Sequence, residues 1–373
     1  MITLRQLVAL SRMRTSSREP VVSLYLDLDR LRSDRRAYRL AVRDLTRSLE
    51  EQVEDGWEKK GVERDLGRIA SFLELGVEPR GRGLAIFSCS SRAFWQVHQL
   101  PIPLGDTAYV DTAPCVKPLL FALDKHPRYA VVVLEKERAH FYELYLGEMV
   151  EFGEILNEVP RRHKQGGWSQ ANFQRHHDAH VLWHLKTAMD ALLDRRAATG
   201  FDRLVIGGTE AIVAEFLRLL PKSLSDALTG TFAVTPPISA VRIQREVEAM
   251  HHKLEQEHKT RLAHELIVTA KKGGAAVVGI GDTLAALNFG QVWHLVIGEG
   301  ASMPGSTCPA CHRLHRAHLT SCTFCNSDLR AVRDITAKMV QAALEKDARV
   351  DVLRGGAASV LAPHAGVGAL LRL

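Results

Sequence analysis

The stretch Gly166-Gly167-Trp168-Ser169-Gln170-Ala171-Asn172-Phe173-Gln174-Arg175-His176-His177 organises the reading of this chain. Adjacent glycines let a backbone take positive φ and come close to another surface. The run Arg161, Arg162, His163, Lys164 leads into them, and a long helical pattern follows. A cationic, glycine-hinged tip on a stiff helix suits a crowded polyanionic site, because the charges attract phosphate and the missing side chains allow close approach. Ser169 or Asn172 is the expected cap of the helix, since a short polar side chain there accepts from a free backbone N–H. Val181, Leu185, Ala188 and Leu192 recur at helical spacing and should face a core. His176, His180 and His184 fall at i, i+4 and i+8, with His177 beside them. They read as a polar face toward phosphate or solvent, because the glutamate of a metalloprotease helix is missing.

Working outward, Tyr129–Glu135 and residues 139–152 look like strands, with Gly147 in the turn between them. Gly200 should end the long helix. Phe201–Gly208 is a short buried strand leading to a helix over Glu210–Leu220, and its Gly207-Gly208 pair reads as a structural turn. Toward the N-terminus, Val21–Asp29 reads as a strand whose Asp27 and Asp29 end it and begin a turn. A helix is expected over 34–55, with Tyr38, Val42, Leu45 and Leu49 on one stripe, and another over 62–75. Two paired strands follow, at 83–90 and 93–100. Toward the C-terminus a charged helix runs over 239–270, with Val241, Val247, Met250, Leu254 and Leu262 as its apolar side. Two strands around a helix at 282–292 follow it, and a last strand lies near 366–372. Lys125-His126-Pro127 and Pro236-Pro237 mark boundaries. The fold class is therefore α/β in three domains: 1–125, 126–237 with the projecting loop, and 238–373.

The chain has 373 residues, 46% hydrophobic and 25% charged, which supplies real cores. Its formal charge of +6 and pI of about 9.0 favour an anionic partner such as RNA. No stretch resembles a signal peptide or is apolar enough to span a bilayer, so the expectation is a cytoplasmic protein without a membrane partner.

Cys308-Pro-Ala-Cys311 and Cys322-Thr-Phe-Cys325 form two paired knuckles. Two such pairs complete a tetrahedron of thiolates, which suits Zn²⁺ in a structural role with no open position for water. His312, His315 and His318 lie in or beside the spacer as substitutes for a cysteine. Cys89 and Cys115 stand alone and read as small buried residues.

The loop resembles the tip of the archaeal and eukaryotic class I release factors and their Pelota relatives. That family carries Gly-Gly-Gln-Ser, then Arg-Phe and a further Arg, matched here by Gly166, Gly167, Trp168, Ser169, Phe173 and Arg175. Trp168 stands where the family has its glutamine, Asn172 where it has an arginine, and Gln170 lies two places on. The Gly-Gly-Trp-Ser-Gln form resembles that of some bacterial relatives. From near residue 126 onward the chain fits the family's order, including Gly279-x-x-x-Thr283-Leu284-x-Ala286-Leu287-x-x-Gly290 before a strand. Its third domain in archaeal members carries a comparable zinc-binding insertion, here a zinc ribbon at about 305–328. The Asn-Ile-Lys-Ser and Tyr-x-Cys signatures of stop-codon reading are missing.

The resemblance implies a ribosome A-site factor acting in peptide release or rescue of stalled ribosomes. Gly166, Gly167, Trp168 and Gln170 would sit at the peptidyl-transferase centre, near P-site tRNA, and assist peptidyl-tRNA hydrolysis. Trp168 still offers a backbone N–H to a developing oxyanion. Arg161, Arg162, His163, Lys164, Ser169 and Arg175 would meet rRNA. A translational GTPase is an implied partner; DNA is not. The alternative is a non-catalytic hibernation factor filling the A site of idle ribosomes. A second alternative is an RNA-binding or nuclease module outside translation, with His163 and His176 as acid and base.

Overall fold

The structure is a computed structural model that describes residues 2–16, 18–29, 35–50, 59–74, 81–157, 168–234 and 238–372, with side chains described except at 35–41, 50, 168–174 and 176. The chain is α/β. It divides into two units, Met1–Lys125 with Glu255–Leu373, and His126–Leu254.

In the first unit, strands β1 (Val21–Asp27), β2 (Gly83–Cys89), β3 (Phe94–Leu100) and β4 (Thr107–Asp111) pair antiparallel in the order β3-β2-β1-β4. Alternate residues of β1, namely Val22, Leu24 and Leu26, bury against Leu49, Val62, Leu66 and Ile69. These come from the helices Arg35–Glu50 and Lys59–Glu74, while Val21, Ser23 and Tyr25 on the opposite face are buried as well, so the period of two sorts β1 between two covered faces. Asp27 closes β1 and accepts the backbone N–H of Asp29, whose carboxylate pairs with Arg82 at 2.6 Å. Both aspartates thus hold a strand end. Cys89 and Cys115 are buried, and burial pushes the Cys115 thiol up to about 12.

The second unit carries β5 (Tyr129–Leu134), β6 (Arg138–Tyr145), β7 (Glu148–Leu156), β8 (Arg203–Gly208) and β9 (Leu228–Ala233), in the order β7-β6-β5-β8-β9. The pairs from β7 to β5 are antiparallel, and those from β5 to β9 are parallel. β5 lies between antiparallel β6 and parallel β8, and helices cover both its faces, so all six of its residues are buried. Its Ala130, Val132 and Leu134 meet Val181, Leu185, Ala188 and Leu192 of the helix Trp168–Thr199, here called the tip helix. Its Tyr129, Val131 and Val133 meet Ile243 and Val247 of the helix Ala240–Lys271. Val241 is 61% exposed and not on that apolar side. A turn of 3.6 residues sets Ile243 above Val247 and turns Val241 away. Gly207 and Gly208 do not form the expected turn: both lie in β8, where a Cβ on Gly207 would stand 2.4 Å from the ring of Phe232.

The remainder of the first unit has β10 (Ala276–Val278), a helix Ile280–Phe289 and β11 (Val292–Gly298). The short strands β12 (Gly305–Thr307), β13 (Leu314–Arg316) and β14 (Arg330–Val332) come next, then a helix Ile335–Glu345, β15 (Arg349–Leu353) and β16 (Val367–Leu371). The larger sheet runs β10-β16-β11-β15, and the ribbon runs β13-β12-β14. This segment is fastened to residues before 126 by polar contacts. Lys117 Nζ donates to Ala301 O at 2.9 Å, Asp334 Oδ2 at 2.7 Å and Thr336 Oγ1 at 2.6 Å. Gln341 Nε2 donates to Ser11 O at 3.1 Å. Such long-range fastening is why residues 255–373 cluster with 1–125.

A buried ion network lies in the same unit. Lys259 Nζ pairs with Asp124 at 2.9 Å and with Asp351, and His294 Nε2 meets the other oxygen of Asp351 at 2.5 Å. Arg354 holds the second oxygen of Asp124 at 2.7 Å. Burial alone would lower the Lys259 pKa, but the carboxylates of Asp124 and Asp351 outweigh it and raise the value. Burial would likewise raise Asp351, yet His294 and Lys259 hold it well below the usual carboxylate range. Among the described residues no helix is long and apolar enough to cross a membrane.

Candidate functional site

Two places carry the residues singled out by sequence. At the tip, Arg161, Arg162, His163, Lys164, Gly166 and Gly167 lie outside the described residues. Trp168, Ser169 and Gln170 form the first turn of the tip helix, and Arg175 is exposed on it. Ser169 and Asn172 are therefore inside the helix and not at its cap.

The foot of the tip is well defined. Asn157 follows β7, takes the Glu137 carbonyl with its backbone N–H at 2.8 Å, and reaches Nδ1 of His184 with its side-chain amide at 2.9 Å. His184 is fully buried, and burial lowers its pKa despite the nearby carbonyls of Arg138 and Glu135. Its Nε2 makes no hydrogen bond of good geometry even so. His177 is buried as well, about two helical turns away, while His180 is only half-buried. The expected polar histidine face thus holds in part. Positions 177 and 184 fall on the stripe that carries Val181 and Leu185, so both are core histidines, and His184 ties the helix to the end of β7 through Asn157. Arg195 adds a second lock, pairing with Glu143 of β6 at 2.5 Å while lying over Phe152 at 4.3 Å.

The ribbon is the other place. The Sγ atoms of Cys308, Cys311, Cys322 and Cys325 all lie within 4.8 Å of one another. Sγ of Cys308 is 3.4 Å from that of Cys325, and Sγ of Cys311 is 3.5 Å from that of Cys322. The two knuckles repeat one turn. His312 N donates to Cys308 O and Cys308 N to Arg313 O; Asn326 N donates to Cys322 O and Cys322 N to Ser327 O, all at 2.8–2.9 Å. The residue after each second cysteine is left-handed, with φ of 59° at His312 and 62° at Asn326. This turn brings both thiols of a pair to one side and aims backbone N–H groups at sulfur, as Cys311 N does toward Cys308 at 3.4 Å.

A tetrahedral ion with metal–sulfur bonds of about 2.3 Å spaces its sulfurs about 3.8 Å apart. The observed cluster fits a Zn²⁺-sized ion, and all four corners are sulfur. Of the spacer histidines, His312 and His318 are exposed, and His315 is buried with Nε2 3.4 Å from Cys322 Sγ. The Cys325 thiol is lowered to about 6, first by the Ser327 hydroxyl and then by the Ser327 backbone.

A cleft of about 1060 Å³ borders Cys308 and Cys311, with Tyr109, Asp111, Arg14 and Lys338 on its other walls. Arg14 pairs with Glu345 at 2.6 Å and Lys338 pairs with Asp111, so these cations are neutralised. Sequence reading missed the aromatic surroundings of the ribbon. Phe324 sits inside Cys-Thr-Phe-Cys, and Phe289 ends the helix Ile280–Phe289; the rings lie 5.7 Å apart, with the Arg313 guanidinium 3.7 Å from Phe324. The aromatic within the knuckle was the available signal, but its partner is far away in sequence.

Residues 114–256 match the model described as bacterial archaeo-eukaryotic release factor family 10. No curated protein matches the chain. Among solved structures, archaeal translation termination factor aRF1 is 18% identical, over 100% of this chain and 99% of that one, at a TM-score of 0.26. Dom34 of S. cerevisiae, described as a translation termination-like factor in RNA quality control pathways that interacts with Hbs1, is 10% identical over 78% of each chain, at 0.44. A model of ribosome-bound archaeal Pelota and ABCE1 is 13% identical over 78% of this chain and 77% of that one, also at 0.44.

Proposed function

We propose that this chain, whose residues 114–256 match bacterial archaeo-eukaryotic release factor family 10, is a ribosome-associated factor that occupies the A site. The observation that carries the proposal is the placement of that match: it spans the whole second unit, from β5 through the tip helix, including the cationic Gly-Gly segment. In this reading the tip enters the peptidyl-transferase centre, and Arg161, Arg162, His163, Lys164, Ser169 and Arg175 meet rRNA phosphate. The locks at Asn157–His184 and Arg195–Glu143 support it, because a reaching tip needs a rigid foot.

Peptide release or rescue is the leading activity. Ester hydrolysis needs oriented N–H donors at the developing oxyanion and a placed water, roles assigned here to the backbone of Gly166, Gly167 and Trp168 and to Gln170. Trp168, where the release factors have glutamine, favours the second reading, in which the same tip blocks the centre of an idle ribosome without chemistry. Release of labelled peptide from programmed ribosomes separates them: Gln170→Ala abolishes it in the first reading, and there is none to abolish in the second. A translational GTPase as delivery partner belongs to either reading, and the site of action would be the cytoplasm.

The same proposal keeps three domains, 1–125, 126–237 and 238–373, each with its own main sheet. It assigns a structural Zn²⁺ to Cys308, Cys311, Cys322 and Cys325, where the ion would tie the two knuckles and add its binding free energy to ribbon folding. Metal analysis of the purified chain tests this, with one zinc per chain expected and none after all four cysteines become serine.

A further inference from the structure

The ribbon exposes an unusual surface. Phe289 is 61% exposed and Phe324 45%, at an edge-to-face distance of 5.7 Å. Arg313 lies over both rings, 3.7 Å from Phe324 and 5.4 Å from Phe289. Burying large rings is the ordinary outcome of folding, so a fixed, exposed pair with a guanidinium on it is a ready stacking face.

Its cations are the second observation. Arg313 donates to Asn288 O, Lys346 to Leu287 O, and Arg372 to Lys346 O and Val292 O. All three are thus held by main-chain carbonyls, and none forms an ion pair with a described carboxylate. Burial lowers the Lys346 pKa first, and the charges of Arg313 and Arg372 lower it further, with Glu345 opposing, so the three cations feel one another. The C-terminal carbonyls of the helix Ile280–Phe289 account for Arg313 and Lys346 beside them. They do not account for two exposed rings, nor for Arg372.

We infer that Phe289, Phe324 and Arg313, flanked by Lys346 and Arg372, form a platform that stacks an unpaired RNA base and holds its adjoining phosphates. Each part matches a part of that ligand: a π-face for the base, and unneutralised cations for the backbone. An acidic peptide would use the cations and leave the rings idle. An apolar protein patch would use the rings and bury three like charges. The inference extends the ribosomal reading to a second RNA contact but is tested apart from it.

The test uses the full chain loaded with zinc, in which Arg161, Arg162 and Lys164 are replaced by glutamine so that the tip does not contribute. The probe is a fluorescent single-stranded oligouridine. This background should bind it with a log affinity–log salt slope near −2, as three phosphate contacts at about −0.7 each require. Phe289→Ala should weaken binding about fivefold to 150-fold, the range for loss of one stacked base. Phe289→Trp should restore it, which a merely structural role would not do. Phe289 ends a helix and is exposed, so its replacement leaves the fold intact; circular dichroism and zinc content confirm that in each variant. Equal binding by Phe289→Ala, no binding by the background chain, or a preference for an acidic peptide each overturns the inference. Ribosome co-sedimentation of the Phe289→Ala chain with its tip residues intact reports on the tip separately, so failure of one reading is not failure of the other.

Discussion

Replacing Lys259 by methionine removes one charge from the buried network and little volume, so the loss measures the ion pairs. Lys259 and Asp351 are each 5% exposed at the side chain, and removing one partner of such a pair costs about 3–5 kcal/mol. Asp124 keeps Arg354 at 2.7 Å, and Asp351 keeps His294 at 2.5 Å and Arg349 at 3.0 Å. The expected cost is therefore at the lower end, ~3 kcal/mol, or about 150-fold in the opening equilibrium. Hydrogen exchange of β11 and β15 at neutral pH is the assay, because their backbones flank the network. The pH dependence has a definite sign. Asp351 is held low, so its stabilisation is present above the ordinary carboxylate value of ~3.9 and is lost as pH falls through its folded value. Lys259 is held high, so its share is present below ~10.4 and is lost as pH rises through its folded value. The cost should be flat between about pH 5 and 9, and acid opening of the variant should begin at higher pH than in the original chain. A loss under about tenfold, or one that varies across that window, refutes the reasoning.

Three further outcomes are expected. Cys322→Ser should lower zinc content and strip exchange protection from β12–β14 while leaving β5 and β8 protected, since the knuckles are closed by that sulfur. Gly207→Val should destabilise the second unit by about 1–3 kcal/mol in urea unfolding, because its Cβ would press on the Phe232 ring at 2.4 Å. His184 has a lowered pKa, so its contribution is present above ~6.5 and falls as pH drops toward its folded value; exchange protection around Val181–Ala188 should decrease between pH 7 and 5, and His184→Gln should flatten that dependence.

What sequence could and could not reveal follows from the range of each signal. Strands β1, β2 and β3 were legible because alternation is local, β5 because a short run of apolar and β-branched residues is, and the tip helix because Val181, Leu185, Ala188 and Leu192 repeat on one stripe. The cysteine cluster was legible because each knuckle is four residues long and its geometry follows from the spacing. Val241 was misplaced because valine suits an apolar stripe wherever the phase of a charged helix is ambiguous; only the packing of Ile243 under β5 fixes that phase. Ser169 and Asn172 looked like caps, but the helix starts at Trp168, and cap chemistry ranks residues without saying where a helix begins. The histidines at 177 and 184 looked polar because nothing in their own turns shows that the helix buries this stripe, or that Asn157 stands across from His184. The network of Asp124, Lys259, His294 and Asp351 has no spacing to read, as its members come from four distant elements.

Co-sedimentation with ribosomes is the most direct test of the central claim. The full chain should pellet with ribosomes, and glutamine at positions 161, 162 and 164 should release it, as should raised salt in the original chain. A chain that stays in the supernatant at low salt, or a triple variant that pellets as well as the original, contradicts the A-site account.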